Sequence, residues 1–325
     1  MNRRLIMEFT PVEPFEPIRT FEFPQGEQWI AQVKWDGVRM LAYIEKGRVR
    51  LINRRGNERT LQYPEFMNPS EFCRSESAIL DGEMIAIAEG KPSFHEIMKR
   101  DSLRRQQEIT FAVPRIPVVY MIFDILYCNG RWVTDQPLVQ RQKLLQEYVL
   151  PSTRVQLVPN VDHAEGLYAV MRERQWEGIV CKQLDSSYAI GGKDGRWRKM
   201  KLTHDLYAVI GGVTYRDEIV NSVLLGLFDE QGSLKYIGNA GPGKWKGDDL
   251  SRITEASRRL AVPDRPFVAP FAAPPGRVKG VVWMQPQLTV KMHFAEWTPG
   301  GTLRHPVLQG WADVPPEACV FTQQI

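Results

Sequence analysis

The sequence predicts an α+β chain of two domains: antiparallel sheets with flanking helices, followed by a small all-β barrel. Three observations predict it. Strand-like and helix-like segments alternate up to about Thr203, short β-rich runs dominate afterwards, and Gly-containing turns punctuate both parts. At 325 residues the chain is long for one compact domain and comfortable for two. The boundary is placed so that residues 1–203 form the first domain and 204–325 the second.

In the first part, WIAQVKWDGVRMLAYIEKGRVRLINRRG (29–56) reads as strand, Asp-Gly turn, strand, Lys-Gly turn, strand. AILDGEMIAI (78–87) repeats the pattern of a strand broken at Asp-Gly, and VVYMIFDILY (118–127) is a buried strand. PLVQRQKLLQEYVL (137–150) carries Leu and Val at helical spacing after a Pro start, and HAEGLYAVMRERQ (163–175) is a second amphipathic helix. WEGIVCKQL then returns to strand. In the second part, YAVIGGVTY, SVLLGLFD, LKYIGNAG and VVWMQPQLTVKMHFAEW surround one helical segment, GDDLSRITEASRRL. Short strands around one helix, with many Gly turns, fit a Greek-key barrel such as an OB-fold. PFAAPPGR (270–277) is a loop inside it.

Composition excludes several classes. Hydrophobic residues make up 43% and charged residues 25%, as in ordinary soluble proteins. The most apolar stretch, 118–127, is too short to span a bilayer and contains Asp124. The start, MNRRLIMEFTPVEP, lacks the apolar core of a secretory signal, so a cytoplasmic location is expected. Cys73, Cys128, Cys181 and Cys319 are too far apart for a CxxC zinc knuckle or a disulfide framework, and free thiols, buried or half-buried, are expected. The net charge of +4 is compatible with nucleic acid without requiring it. KDGRWRKMK (193–201) interleaves its cations with Trp197 and Met200, which on a strand puts one set of cations on one face and suits a phosphate site. KRDSLRR (99–105) reads as a solvated face.

Six motifs carry chemistry. KWDGVR (34–39) ends a strand at Lys34, with Arg39 across the turn. A lysine amine, with a reference pKa of about 10.4, attacks phosphorus only where cations, a metal or desolvation favour its neutral form. NRRGN (53–57) puts Arg54 at a turn, LDGE (80–83) puts Glu83 just past one, and MIFDILY (121–127) puts Phe123 mid-strand. EGIVCK (177–182) opens with Glu177 and closes with Lys182, and WRKMK (197–201) offers Lys199 and Lys201 on one face. Singly each has a bland reading, as core or solvated surface. Together they supply a nucleotidyl-transfer site: cations for the α-phosphate in Lys199 and Lys201, hard oxygen ligands for a divalent metal in Glu83 and Glu177, an aromatic platform for a purine in Phe123, and ribose contacts in Arg39 and Glu83.

This ordered set resembles the motifs of ATP-dependent DNA ligases. The resemblance implies a nucleotidyltransferase adenylation domain followed by an OB-fold. It also implies three steps: AMP moves from ATP to the motif lysine, then to a DNA 5′-phosphate, and is displaced by a 3′-hydroxyl. Lys34 falls on the adenylated lysine, Gln32 where the adenine amino group is read, Arg54 on the arginine after the first motif, and Phe123 on the adenine-stacking aromatic. ATP and Mg2+ (or Mn2+) are the implied cofactors, and nicked or broken double-stranded DNA the implied partner of a monomeric, nucleoid-associated enzyme. AEWTPGGTLRHPVLQGW (295–311) is similar to the ligase domains of bacterial non-homologous end-joining, whose usual partner is Ku.

The far end departs from the pattern. Where the last motif normally continues into Arg-x-Asp-Lys, this chain has Ala312, Asp313, Val314 and Pro315, leaving Arg304 or a lysine such as Lys291 as substitutes. That motif is held to engage pyrophosphate during self-adenylation, as the second domain swings over ATP. Two rival readings are an RNA ligase or capping-type guanylyltransferase, separable by ATP against GTP, and a nucleic-acid-binding protein with weakened catalysis. The filled first-domain motifs argue against the second.

Overall fold

The computed structural model describes residues 9–271, 273 and 278–323. Much of the 270–277 loop, and the start of the N-terminal segment, lie outside the described residues. The chain divides into two compact units, Met1–Leu202 and Thr203–Ile325.

The first unit runs β1 (Glu16–Arg19), β2 (Trp29–Val33), β3 (Val38–Glu45), β4 (Arg48–Asn53), β5 (Ser77–Ala88), β6 (Lys91–Pro92), α1 (Phe94–Asp101), α2 (Gln106–Ala112), β7 (Val118–Cys128), β8 (Arg131–Trp132), α3 (Leu138–Tyr148), β9 (Val155–Leu157), α4 (Ala164–Glu173), β10 (Gly178–Gln183) and β11 (Lys193–Lys201). A larger sheet has the order β4-β3-β5-β7-β8, with β6 on β5 and β9 parallel to β7. A smaller sheet has the order β1-β11-β10-β2.

Strand β3 shows how the layers form. Met40, Ala42 and Ile44 point into a core with Tyr63, Phe66, Ile97 and Leu145, whereas Leu41 and Tyr43 point into another with Phe15, Tyr188 and Trp197. Both faces are covered, which is why MLAYI is an unbroken apolar run. The second core lies between the two sheets, and α4 covers the far face of the smaller one through Met171 against Ala31, Ile179 and Met200. Helix starts follow local chemistry: Ser93 Oγ accepts from Glu96 N at the start of α1, His163 Nδ1 from Gly166 N at the start of α4, and Pro137 precedes α3.

Two Asp-Gly pairs behave differently from the sequence reading. Asp36-Gly37 is no hairpin turn, because β2 belongs to the smaller sheet and β3 to the larger, so the segment after Lys34 crosses between them. A Cβ on Gly37 would sit 2.1 Å from Met84 O and 2.9 Å from Ile85 Cγ2, so the glycine lets the crossing chain press on β5. Asp81-Gly82 breaks nothing, since β5 runs continuously through it, and Glu83 lies within the strand and not past a turn. A Cβ on Gly82 would sit 2.5 Å from the Tyr120 ring, beside a register shift against β7. KRDSLRR also divides: Lys99 and Arg105 are exposed, but Arg100 is buried against Glu65 and the carbonyls of Gln62 and Ile116. All four cysteines are free and buried.

The second unit runs β12 (His204–Arg216), β13 (Ile219–Phe228), β14 (Leu234–Ala240), α5 (Gly247–Arg259), β15 (Ala261–Val262), β16 (Val282–Met284), β17 (Thr289–Phe294), β18 (Glu296–Trp297), β19 (Leu303–Arg304) and β20 (Val307–Trp311). Its main sheet is antiparallel, ordered β14-β13-β12-β16-β15, with β17 on β12 and β20 on β17. Long β12 accepts β17 along its first half and β16 near Gly212, so one strand joins two parts of the sheet. Among the described residues no helix is long and apolar enough to cross a membrane.

If Gly37 is needed for the crossing, Gly37→Ala should lower the stability of the first unit by about 1–3 kcal/mol, the usual range for overpacking. Gly241→Ala, where an added Cβ meets nothing within 4 Å, should leave urea denaturation nearly unchanged. Equal stability of the two variants would remove the close-approach explanation.

Candidate active site

Three adjacent strands of the smaller sheet build the centre. Lys34 follows β2, Glu177 precedes β10, and Lys201 ends β11; the Lys34 amide donates to Gly178 O at 2.9 Å. The Glu177 carboxylate lies between two ammonium groups, 2.6 Å from Lys34 Nζ through one oxygen and 2.6 Å from Lys201 Nζ through the other. Burial alone would raise its pKa, but Lys34 and Lys201 outweigh burial and hold it below the ordinary carboxylate value. Lys199 shares the inner face with Lys201 and forms no ion pair among the described residues; burial, then Lys34 and Lys201, push its ammonium pKa down.

Glu83 approaches from the larger sheet, where it pairs in register with Arg39. Burial pushes its carboxyl up to about 8; Lys34 and Arg39 oppose that, and Glu177 and Asp36 add to it. No described residue forms an ion pair with it.

A second group of the sequence-selected residues gathers between the sheets. Lys182 Nζ lies 4.2 Å from the centre of the Phe123 ring and 3.9 Å from that of Trp197, buried and without a hydrogen-bond partner among the described residues. Burial brings its pKa down to about 7, with Asp124 and Asp81 opposing. Arg39 caps the same two rings at 5.4 and 5.8 Å. Four of its five N–H donors are engaged: Nε and Nη2 to Asp81 at 3.0 and 2.7 Å, Nη2 also to Tyr188 Oη at 3.3 Å, and Nη1 to Phe15 O at 2.6 Å. Ribose contact by Arg39 would fall to the second Nη1 hydrogen or displace one of these bonds.

Gln32, buried on β2, donates to Asn160 Oδ1 at 2.7 Å. Arg54 lies apart, in the turn after β4, paired with Glu16, which Lys193 also approaches at 3.8 Å. Sequence reasoning missed the supporting groups. Asp81 stood inside LDGE, a motif read only for Glu83, and that position is the signal that was available. Tyr188, which donates to Asp81 at 2.7 Å, and Asn160 carried no signal.

A buried ammonium with no acceptor among the described residues, over the faces of two aromatic rings, together with the lysines around Glu177, fits an anionic nucleotide with a flat base. For a divalent ion the fit is partial: both Glu177 oxygens are engaged by lysines, Glu83 is the carboxylate left over, and the described residues contain no cluster of three metal-ligating side chains. Such ions often take one or two carboxylates and complete their shell with phosphate and water.

The family model for the ATP dependent DNA ligase domain matches residues 12–201, and that for the ATP dependent DNA ligase C terminal region matches residues 216–314. The chain belongs to the ATP-dependent DNA ligase family. It is 30% identical over 293 residues to the multifunctional non-homologous end joining protein LigD of Mycobacterium bovis, covering 88% of this chain and 36% of that protein. It is 32% identical over 251 residues to a DNA ligase of Thermococcus fumicolans, covering 73% of this chain and 44% of that protein. The chain thus spans about a third to under a half of these relatives' lengths. The solved mycobacterial DNA ligase D complexed with ATP and MES matches with a TM-score of 0.52 at 27% identity, covering 95% of this chain and 98% of that one. The ligase fold, nucleotidyltransferase domain plus OB-fold, is therefore that of this chain.

The raised pKa of Glu83 gives this ligase-family site a pH signature. The folded protein holds the Glu83 proton up to about pH 8, whereas an unfolded chain releases it near the ordinary value of 4.5. Folding then binds an extra proton between those values, and this residue's contribution to stability falls as pH rises through them. Glu83→Gln, which cannot ionise, should melt at a temperature that gains on the wild type from pH 5 to pH 8 without added nucleotide or metal. A constant difference across that range would mean Glu83 is not held protonated.

Proposed function

We propose that this chain joins breaks in double-stranded DNA, using ATP to place AMP on Lys34. The observation that carries the proposal is the Glu177 carboxylate between Lys34 and Lys201, because it holds the Lys34 amine beside a second lysine that can bind phosphate. Lys34 Nζ attacks the α-phosphorus; the N–P bond forms as the bond to pyrophosphate breaks, and the amine proton passes to solvent or a neighbouring base. Lys199 and Lys201 offset the charge that builds on the α-phosphate oxygens. Phe123 and Lys182 take the base and Gln32 its edge, while Glu83 and Arg39 lie towards the ribose. A magnesium or manganese ion would be held by Glu83, and by Glu177 where a lysine yields one of its oxygens, and would further neutralise phosphate charge. AMP then passes to a DNA 5′-phosphate and leaves when a 3′-hydroxyl attacks. Arg54, exposed and paired only with Glu16 among the described residues, is free to turn towards DNA phosphate. The name of the mycobacterial relatives favours double-strand-break repair, and a Ku-type partner is proposed on that likeness alone.

A nicked duplex tests this. The wild type should seal it with ATP, and Lys34→Arg, whose guanidinium remains protonated, should not. Sealing by the arginine variant at the wild-type rate would overturn the assignment.

The altered end motif yields a separate expectation. The carbonyls of Ala312 and Val314 both accept from Thr289 Oγ1 at 2.9 Å, and neither residue offers a cation. The two candidate substitutes are engaged within their own unit, Arg304 with Glu296 at 2.7 Å and Lys291 with Asp205 at 2.9 Å. Loss of a charged transition-state contact costs roughly a hundred- to a thousandfold in rate. A pre-adenylated nick should therefore be sealed much faster than the full cycle runs from ATP, and Ala312→Arg with Pro315→Lys should speed only the adenylation. Equal wild-type rates for the two reactions would show that another cation serves the pyrophosphate.

A further inference from the structure

A glutamine can present either a donor or an acceptor to a base edge, since the two ends of its carboxamide differ only in polarity. Gln32, two residues ahead of Lys34 on β2, is fixed by a chain of three hydrogen bonds. The chain begins at the backbone carbonyl of Phe123, a group that can only accept. Gln142 on α3 donates Nε2 to it at 2.8 Å, which turns Gln142 Oε1 towards Asn160. Asn160 donates Nδ2 to that oxygen at 3.4 Å and so presents Oδ1, which accepts from Gln32 Nε2 at 2.7 Å. The remaining group is Gln32 Oε1, and among the described residues nothing donates to it.

The polarity is set by the far end. Reversing any one amide would place two oxygens or two NH2 groups face to face, and the Phe123 carbonyl forbids reversing them all. The chain is anchored on the residue whose ring would carry the base, so platform and edge reader share one frame.

We propose that Asn160, held by Gln142, is the positioning residue that sets base specificity, by locking Gln32 as an acceptor for the amino group of a 6-aminopurine. A 6-oxopurine would bring a carbonyl oxygen against Gln32 Oε1, two acceptors with no proton between them. The proposal rests on the reading above in which Phe123 carries the base and Gln32 meets its edge. Asn160 is exposed, so it acts through Gln32 and the burial of that side chain, not by touching the nucleotide.

The test is titration calorimetry of the full chain with ATP and with GTP, in chelator, comparing the ratio of their dissociation constants. The wild type should favour ATP. Asn160→Leu frees Gln32 to turn its NH2 outward, and the preference should fall about tenfold, the scale of one well-made hydrogen bond in a buried site. Gln142→Met, which removes the anchor, should shift the ratio in the same direction. Asn160→Asp keeps an acceptor for Gln32 Nε2 and should retain the preference. An Asn160→Leu ratio equal to the wild type, or an Asn160→Asp ratio as weakened as that of the leucine variant, overturns the relay. A wild type that binds neither nucleotide and forms no covalent product with labelled ATP would overturn the site reading itself, and the relay with it. An unchanged ratio with adduct still formed on Lys34 would remove the relay alone.

Discussion

The contact of one carboxylate with two ammonium groups sets the frame for the site. Glu177 can meet Lys34 and Lys201 together only if β2, β10 and β11 hold their present register, because the three residues come from the ends of three neighbouring strands. A slip of one residue along β11 would send Lys199 and Lys201 to the face covered by α4 and bring Met200 inward. The cores on the two faces of this small sheet oppose such a slip: Trp197 packs on one side, Met200 on the other. Apolar packing of the sheet and placement of its charges are thus one constraint.

The space between the sheets concentrates costs that folding alone would not favour. An ammonium buried without an acceptor among the described residues and a carboxyl pushed up to about 8 both oppose stability. Lys182 is partly offset by the faces of Phe123 and Trp197. Arg39 is a different case, since it is held by a bidentate bond to buried Asp81 and removing either partner would strand the other. The unsatisfied groups are those a phosphate, a base or a metal ion could satisfy, and the satisfied ones hold the walls.

Much of this was legible in the sequence. The alternation of strand and helix, the helices after Pro137 and His163, and the change of character near Thr203 all follow from local pattern and capping chemistry. The motif lysines and glutamates were chosen by residue type and order, and Lys34, Glu177 and Lys201 meet directly. What was not legible depends on which sheet a strand joins. Asp36-Gly37 and Asp81-Gly82 carry the composition of hairpin turns, yet one is a crossing between sheets and the other lies inside a strand. In both the glycine is there for the close passage of a neighbouring strand, information that resides in Met84 and Tyr120 and not in the dipeptide. Arg100 was hidden in a basic run for the same reason, as its partner Glu65 lies far away in sequence.

The central claim is that Lys34 is the residue that carries AMP, and it can be read directly. The protein, incubated with ATP and magnesium and then digested, should yield by mass spectrometry one peptide bearing an adenylyl group, with the modification on Lys34 and stable to alkali but labile to acid, as a phosphoramide is. An adenylyl group on another lysine such as Lys199 or Lys201, or none on a protein that still seals nicks with ATP, would contradict the account.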